Sequence, residues 1–406
     1  MFSPGAAIHS VQLPLLLYLA VKLETYMEAN LRFSKEGMGF QRELNKRVHQ
    51  YFKENNLSKN GGWAMRGKTM VMFMLYLTPY VLLLTGVIQS GWLALLASAV
   101  IGIGLAGIGL SVMHDACHGA YSSNPKENDW VGYSLNFLGA SSFNWKIQHN
   151  VLHHSYTNIA EHDEDIDNRG LFRFTPYAPL KAIHRYQHIY AWPFYSIMTL
   201  FWVLLKDFFR FAKYDKEGLI KQVNGSKPKE LVILIATKVW NLVFSFGLPL
   251  MFTDFTFGQI LLGFLTAHLI AGFLLALVFQ PAHVSDEISF IAVPENGELP
   301  YSFAEHQIRT TRNFANENRW FSWYAGGLNY QIEHHLFPHI CHIHYRKISP
   351  IVRQTAQEFG LPYENTPSIW QALVTHTKHL KNLGRLPEIP KEASVHTAGM
   401  IQALPA

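Results

Sequence analysis

Four long apolar stretches constrain the fold of this 406-residue chain more than any other feature. They cover about Met70 to Val87, Trp92 to Met113, Leu231 to Phe252 and Ile260 to Phe279. A helix needs roughly 20 apolar residues to cross a bilayer, and each stretch is about that long. Only 16% of the residues are charged, whereas soluble domains carry about 25%. The sequence therefore predicts an all-α integral membrane protein with about four transmembrane helices.

Three regions are expected along the chain. Residues 1–68 form an amphipathic, cytosolic N-terminal segment, in which the short apolar run 12–20 lies at the membrane interface. Residues 69–383 form the membrane domain, and residues 384–406 form a disordered tail. The net charge of +5 fits contact with membrane lipids and does not indicate nucleic acid as a partner.

A fifth apolar run, Ile189 to Leu205, decides the topology. The basic residues that follow it are Lys206, Arg210, Lys213, Lys216, Lys221, Lys227 and Lys229. The positive-inside rule places that segment in the cytosol. The linker 253–257 has no Lys or Arg, so it belongs on the outer side of the membrane. We therefore expect the fifth run to enter the membrane and return without crossing. The result is two transmembrane hairpins below a cytosolic helical cap, which includes amphipathic helices at 346–358 and 368–380.

Three histidine clusters accompany the hairpins, in a chain with 21 histidines. The clusters are His114 and His118 in HDACH, His149, His153 and His154 in HNVLHH, and Gln331, His334 and His335 in QIEHH. Side chains three or four residues apart share one helical face, and imidazole is a ligand for iron, zinc and copper. On an α-helix His154 projects about 100° away from His153, so this pair can face two different ions. A single HxxxH pair is more often interfacial, but three clusters at one membrane face predict a metal site.

Several further residues are candidates for roles around this site. His283 ends the fourth apolar run, as His114 ends the second, and is a candidate ligand. His268, inside the fourth run, is expected to be packed or hydrogen-bonded. The acidic residues near the clusters can orient ligating imidazoles, although a solvated acidic loop is the alternative; they are Asp115, Asp163, Glu164, Asp165, Asp167 and Glu333. His339, His342 and His344 are not expected to be ligands, because Pro338 ends the helix that carries His334 and His335.

The three clusters, in this order and separation, resemble the histidine boxes of the membrane fatty acid desaturase family. The flanking HHSYTN (His153 to Asn158) and LFPHICHIHY (Leu336 to Tyr345) add to the resemblance, which covers about Arg42 to Leu361. The glutamine that opens the third box is similar to that of front-end desaturases, which insert a double bond between an existing one and the carboxyl end.

The resemblance implies a non-haem centre of two irons at the cytosolic membrane face. Such a centre uses O2 and two supplied electrons to remove two hydrogens from a lipid- or CoA-linked acyl chain. The family pattern places one iron near His114, His154, His283 and Gln331. It places the other near His118, His149, His153, His334 and His335. Gln331 stands where many relatives have histidine, so it binds iron directly, through water, or not at all.

The electron donor is expected to be a separate ferredoxin or cytochrome b5, because the chain has no His-Pro-Gly-Gly haem-binding signature. Three other functions remain open at this point. A hydroxylase can use the same two irons. A haem-binding membrane cytochrome would have histidine pairs inside facing spans. A transporter would have polar residues near the midplane, where this sequence offers His268 and a few neutral residues.

Overall fold

The computed structural model describes residues 31–166, 170–294 and 296–389. The predicted interfacial run 12–20, Asp167 and residues 390–406 of the predicted tail lie outside the described residues.

Within the part of the chain that the structure describes, four helices are long and apolar enough to cross a bilayer. Their bounds are Gly62–Leu84, Gly91–Cys117, Lys227–Phe252 and Phe257–His283, called spans 1 to 4 below. The shortest has 23 residues, and at 1.5 Å per residue it is about 35 Å long, more than the roughly 30 Å of hydrocarbon. The prediction of four spans is confirmed. Span 1 begins at Gly62, earlier than the predicted domain boundary after residue 68.

Glycines in span 2 allow its neighbours to approach closely. A Cβ added to Gly102 would lie 2.5 Å from the carbonyl oxygen of Ala267 in span 4. A Cβ added to Gly104 would lie 2.6 Å from the backbone nitrogen of Tyr76 in span 1. Small residues are the usual means of close helix packing in lipid. Span 2 is therefore held closely between spans 1 and 4.

The fifth apolar run forms a bent pair of helices, Ala182–Ser196 and Met198–Lys216, which meet at an angle of 58°. The bend packs on span 4, where the Thr199 hydroxyl donates to the carbonyl of His268 at 2.8 Å. Span 2 ends beside His118 and span 4 ends at His283, and both rings pack on the cluster that contains His153 and His154, so both spans end on the same side. Spans 3 and 4 form a hairpin, so span 3 starts on that side too. The bent pair between spans 2 and 3 therefore begins and ends on the same side of the spans, which agrees with the predicted re-entrant course.

Shorter helices form a cap over the ends of the spans that carry the histidines. Within the described residues their bounds are Met38–Glu54, Pro125–Gly132, Ser134–Phe137, Ser142–Trp145, Leu219–Gln222, Phe303–Thr310, Arg319–Tyr324, Gln331–Leu336, Tyr345–Glu358 and Ile369–Leu383. Two parallel β-pairs tie the cap together: Arg32–Phe33 with Glu298–Leu299, and Asn313–Phe314 with Asn365–Thr366.

Apolar residues at helical spacing build the core of the cap. Phe40, Leu44 and Val48 of the first cap helix pack with Ile348 and Val352 of helix Tyr345–Glu358. This helix and Ile369–Leu383 match the two amphipathic helices that the sequence predicts. Residues 384–389, the described part of the predicted tail, are held against the cap by the buried Arg173.

Candidate metal centre

The first cluster lies at the end of span 2, where the helix changes its winding. Residues Ile108–Met113 form a π-helical segment directly before His114. His114 and His118 are buried, and their ring centroids are 4.7 Å apart. π-Helical segments are frequent at functional sites, because the extra residue in the turn re-aims the side chains that follow. Both imidazoles consequently point into the interior of the cap.

The second cluster lies on a π-helix, Lys146–His153, and not on the α-helix assumed from its spacing. The backbone N–H of His154 donates to the carbonyl of His149, five residues back, at 2.9 Å. The π-helical turn therefore places His154 beside His149, with their Nε2 atoms 3.2 Å apart. The expected separation of about 100° between His153 and His154 was derived for an α-helix and does not describe this segment.

The third cluster reaches span 2 through two glycines with left-handed backbone. Gly326 and Gly327 have φ values of +66° and +67°. A Cβ on Gly326 would collide with the carbonyl oxygen of Leu110 in span 2. Helix Gln331–Leu336 follows and buries Gln331, His334 and His335. The close approach of this loop to span 2 thus brings the third cluster next to the first.

The three clusters converge into two adjacent groups of imidazole nitrogens. One group is His114, His118, His149 and His334; the other is His153, His283 and His335. Within each group, one nitrogen of every ring lies within 4.8 Å of the others. His154 stands between the groups and forms a third, overlapping set with one ring of each, His334 and His335, at ring-centroid distances of 4.6 Å and 4.3 Å. All nine predicted residues come together, since Gln331 Nε2 lies 2.7 Å from His283 Nε2.

This division differs from the one that the family resemblance implied. His114 lies with His118, and not with His154 and His283. His153 and His335 lie with His283, and not with His118. The π-helix accounts for part of the difference, because it turns His153 and His149 toward different partners.

Hydrogen bonds from the cap hold several of these rings by Nδ1. The Nδ1 atom of His153 lies 3.0 Å from both carboxylate oxygens of Asp163. His335 Nδ1 lies 2.8 Å from Gln307 Oε1, and His334 Nδ1 lies 3.2 Å from the Tyr345 hydroxyl. A neutral imidazole has one N–H and one lone pair. Fixing the proton on Nδ1 directs the lone pair of Nε2 into the centre.

Burial keeps most of these imidazoles neutral. It lowers the pKa of His149 to about 3, and it lowers the pKa values of His118, His154, His334 and His335 far below the usual range. Burial acts in the same direction on His153, but the charges of Asp163 and Asp165 and the hydrogen bond with Asp163 together outweigh it, and the pKa of His153 is raised. Neutral imidazole is the form that binds metal.

The donor set fits metal ions. Within the described residues, several buried ligand atoms have no hydrogen-bond partner. They are both ring nitrogens of His114 and His118, Nε2 of His153 and His335, Nδ1 of His154 and His283, and Oε1 of Gln331. Buried polar atoms without partners are costly and rare in native proteins. Convergent lone pairs in two groups therefore match two imidazole-bound ions.

The acidic residues around the centre divide into those that contact an imidazole and those that do not. Asp163 contacts His153, and Asp165 Oδ2 lies 3.6 Å from Nδ1 of His149. The prediction that these acidic residues orient ligating imidazoles is wrong for two others. Glu164 instead accepts from the Tyr214 hydroxyl at 2.6 Å, and Glu333 accepts from Asn313 and Tyr363.

Asp115 contacts His342 Nδ1 at 2.8 Å and lies 3.8 Å from His114 Nδ1.

Two residues that contact the imidazoles were not predicted from the sequence. They are Gln307, which contacts His335, and Trp145, whose indole stacks on His149 at 4.4 Å. Trp145 stands four residues before His149 and could have been found by that spacing. Gln307 offered no signal, because tertiary packing alone brings its helix to the site.

An apolar cavity of about 600 Å³ opens onto the centre. Its wall includes His114, His149 and Gln331 together with the aromatic residues Phe194, Trp202 and Phe279. The cavity continues between span 4 and the bent helix pair as far as His268 and Thr199, which contact each other as predicted for His268. A long apolar ligand can therefore lie beside the imidazoles.

Comparisons with known proteins identify the family of this chain. The family model described as fatty acid desaturase matches residues 90–367, which is more than half of the chain. An sn-1 linoleoyl-lipid 6-desaturase of Synechocystis sp. is 35% identical over 348 residues, 86% of this chain and 96% of the relative. An sn-1 linoleoyl-lipid 6-desaturase of Arthrospira platensis is 32% identical, over 90% and 97% of the two chains. An acyl-lipid (8-3)-desaturase of Physcomitrium patens is 35% identical, over 89% and 75%.

Proposed function

The chain belongs to the fatty acid desaturase family, and on that premise we propose that it is a front-end acyl-lipid desaturase with two non-haem irons. It is an oxidoreductase of the membrane, and the names of its relatives agree with action on a fatty acyl chain between an existing double bond and the carboxyl end. Those names specify acyl lipids, which favours a lipid-linked over a CoA-linked substrate.

The observation that carries this proposal is the pair of imidazole groups beside one apolar cavity. We assign His114, His118, His149 and His334 to one iron, and His153, His283 and His335 to the other. His154 lies between them, and Gln331 completes the second group directly or through water. When bound, the two irons supply the oxidising power, with O2 as co-substrate and two electrons from a donor.

The protein's own part is to bind, orient and exclude water. The apolar wall holds the acyl methylene groups against the side of the cavity that carries His149 and Gln331. Phe279 and Trp145 pack against the ligating rings, with Phe279 4.8 Å from His283 and Trp145 5.5 Å from His114. These contacts fix the rings and keep water from the reacting carbons. Orientation of this kind is what selects one pair of methylene groups from a uniform chain.

The alternatives receive less support. Relatives along most of the chain are named desaturases, which favours desaturation over hydroxylation. A haem cytochrome would use histidine pairs inside facing spans, whereas these histidines cluster at the ends of spans 2 and 4 and in the cap. We place the centre on the cytosolic face, because the basic segment after the bent pair follows the positive-inside rule. A separate ferredoxin or cytochrome b5 is proposed as the electron donor.

The test combines metal content with product. Purified protein should hold about two irons and no haem, and cells that express it should contain a fatty acid with a new double bond on gas chromatography. His335→Ala should abolish product and lower the iron content. The matched control is His339→Ala, which changes a nearby histidine outside both groups and should retain product. Zinc alone in the wild-type protein, or full activity of His335→Ala, would overturn the assignment.

A further inference from the structure

One wall of the cavity is a single helix that carries a lysine with no ion-pair partner among the described residues. Helix Met198–Lys216 contributes Thr199, Trp202, Val203, Lys206 and Arg210 to the cavity wall. At 1.5 Å per residue, Lys206 lies about 10 Å along the helix from Thr199, which marks the inner, apolar end. Lys206 thus lies toward the opposite, polar end of the cavity, where Glu164 and Asp165 also contribute.

The other charged groups at this end are already paired. Glu164 Oε2 lies 2.5 Å from Nη1 of Arg210, and Glu164 also contacts Lys213 and Tyr214. Asp165 accepts from the Gln148 amide and lies 3.6 Å from Nδ1 of both His149 and His153.

Lys206 differs from these groups. In the described part of the chain, its ammonium is within ion-pair distance of no carboxylate, and its contact is with the Trp202 ring at 4.9 Å. A half-buried ammonium over an aromatic face keeps its hydrogen-bond donors for another acceptor.

We propose that Lys206 binds the ester carbonyl oxygen at the carboxyl end of the acyl chain and so sets which carbons reach the metal ligands. This inference rests on the proposed function. The chain beyond the ester then extends along the apolar wall toward Thr199, past His149 and Gln331. Asp165 lines the same polar end of the cavity and also contacts His149, so Lys206 lies close to the group of imidazoles that contains His149. An anchor near the metals selects carbons near the carboxyl end, which is the register that a front-end desaturase requires.

The simpler role for Lys206 is to offset the negative charge of Asp165 and Glu164. The two roles differ in their effect on the product. A lysine that only balances charge influences stability and metal content. A lysine that anchors the ester influences the position of the new double bond, because the chain can slide once the anchor is lost.

The experiment compares Lys206→Met and Lys206→Arg with Lys216→Met, a control on an exposed lysine of the same helix that does not line the cavity. Lys206→Met should raise KM about tenfold, as expected for loss of one charge-assisted hydrogen bond. It should also yield double bonds at more than one position. Lys206→Arg should retain a single position, and Lys216→Met should match the wild type. A single, unchanged position with KM within twofold in Lys206→Met would overturn the inference, whereas a wild type without any product would overturn the proposed function instead.

Two substrate series complete the test. The wild-type protein is given an ether-linked lipid that lacks the carbonyl oxygen, a measurement that does not depend on how a variant folds. We expect this lipid to yield mixed positions with the wild type; a single position would contradict the ester anchor. Ester lipids with a neutral sugar head group and with a phosphate head group are then compared. Lys206→Met should affect both equally, and an effect confined to the phosphate lipid would show that Lys206 reads the head group and not the ester.

Discussion

The Nδ1 atom of His153 lies 3.0 Å from each carboxylate oxygen of Asp163, and both side chains are fully buried. This contact fixes the proton on Nδ1 and leaves Nε2 of His153 facing His283 and His335. Asp163 also accepts from the backbone N–H groups of Asn158 and Asp165. One carboxylate therefore orients a candidate ligand and shapes the loop that follows it.

Asp163→Asn should weaken metal retention while the protein still folds. The amide keeps the shape and one acceptor oxygen, but it removes the charge that holds the His153 ring. Loss of such a partner typically lowers metal affinity 10- to 100-fold. The measurement is iron per chain after dialysis against a chelator. Asp129→Asn, at an exposed aspartate paired with Lys146, is the control and should keep its iron. Equal retention in both variants would show that Asp163 does not support the centre.

Gly326→Ala should separate the third cluster from span 2. The residue has φ of +66°, and an added Cβ would meet the Leu110 carbonyl. The matched control is Gly360→Ala, with φ of +67° and nothing within 4 Å of the added Cβ. The control incurs only left-handed backbone strain, about 1–2 kcal/mol. Gly326→Ala adds the steric clash, so it should lower Tm further and lose iron. Similar Tm and iron content in the two variants would contradict the close approach.

The sequence was sufficient to predict the spans and the set of clustered residues. Apolar stretches of 18–22 residues rarely occur except as transmembrane helices. The bounds of spans 3 and 4 were therefore predicted to within four residues at each end. The expectation that the fifth apolar run returns without crossing agrees with the bent pair, because the histidines near the ends of spans 2 and 4 can meet only on one side. Each of these inferences rests on local composition, which a sequence displays directly.

The arrangement within the site was not predictable from spacing. Residues Lys146–His153 wind as a π-helix, and no local pattern distinguishes that from an α-helix. The partners of Glu164 and the approach of Gln307 depend on helices more than 45 residues away in sequence. Tertiary packing decides such contacts. The prediction that acidic residues near a cluster contact its imidazoles was therefore correct for Asp163 and Asp165 and wrong for Glu164 and Glu333.

Arg173→Met should loosen the end of the described chain. The buried guanidinium donates to the carbonyls of Leu383 and Leu386 at 2.6 Å each, and to those of Pro176 and Ala178. Removing it leaves buried acceptors unpaired, a loss on the order of 3 kcal/mol. Tm should fall, and limited proteolysis should cut after Leu383 more rapidly. Arg185→Met, at an exposed arginine, should behave as the wild type; equal cleavage of the two variants would mean that Arg173 does not hold this segment.

Glu333 should make stability depend on pH between about 4.5 and 7. The carboxyl is fully buried and hydrogen-bonded by Asn313 and Tyr363, and burial raises its pKa from the ordinary value of 4.5 to about 7. The folded protein therefore binds a proton more tightly than the unfolded chain does. The stabilisation from this proton is fully present below pH 4.5 and is lost as pH rises through 7. At 1.36 kcal/mol for each pKa unit, it amounts to about 3 kcal/mol.

Glu333→Gln has no carboxyl that titrates, so its stability should not show this part of the decline as pH rises. We expect Tm of the wild type to fall more steeply than that of Glu333→Gln from pH 5 to pH 8, measured in the same detergent. Glu54→Gln, at an exposed residue of the first cap helix, should keep the wild-type slope. Parallel curves for the wild type and Glu333→Gln would mean that the carboxyl is ionised throughout this range, with Asn313 and Tyr363 outweighing the effect of burial.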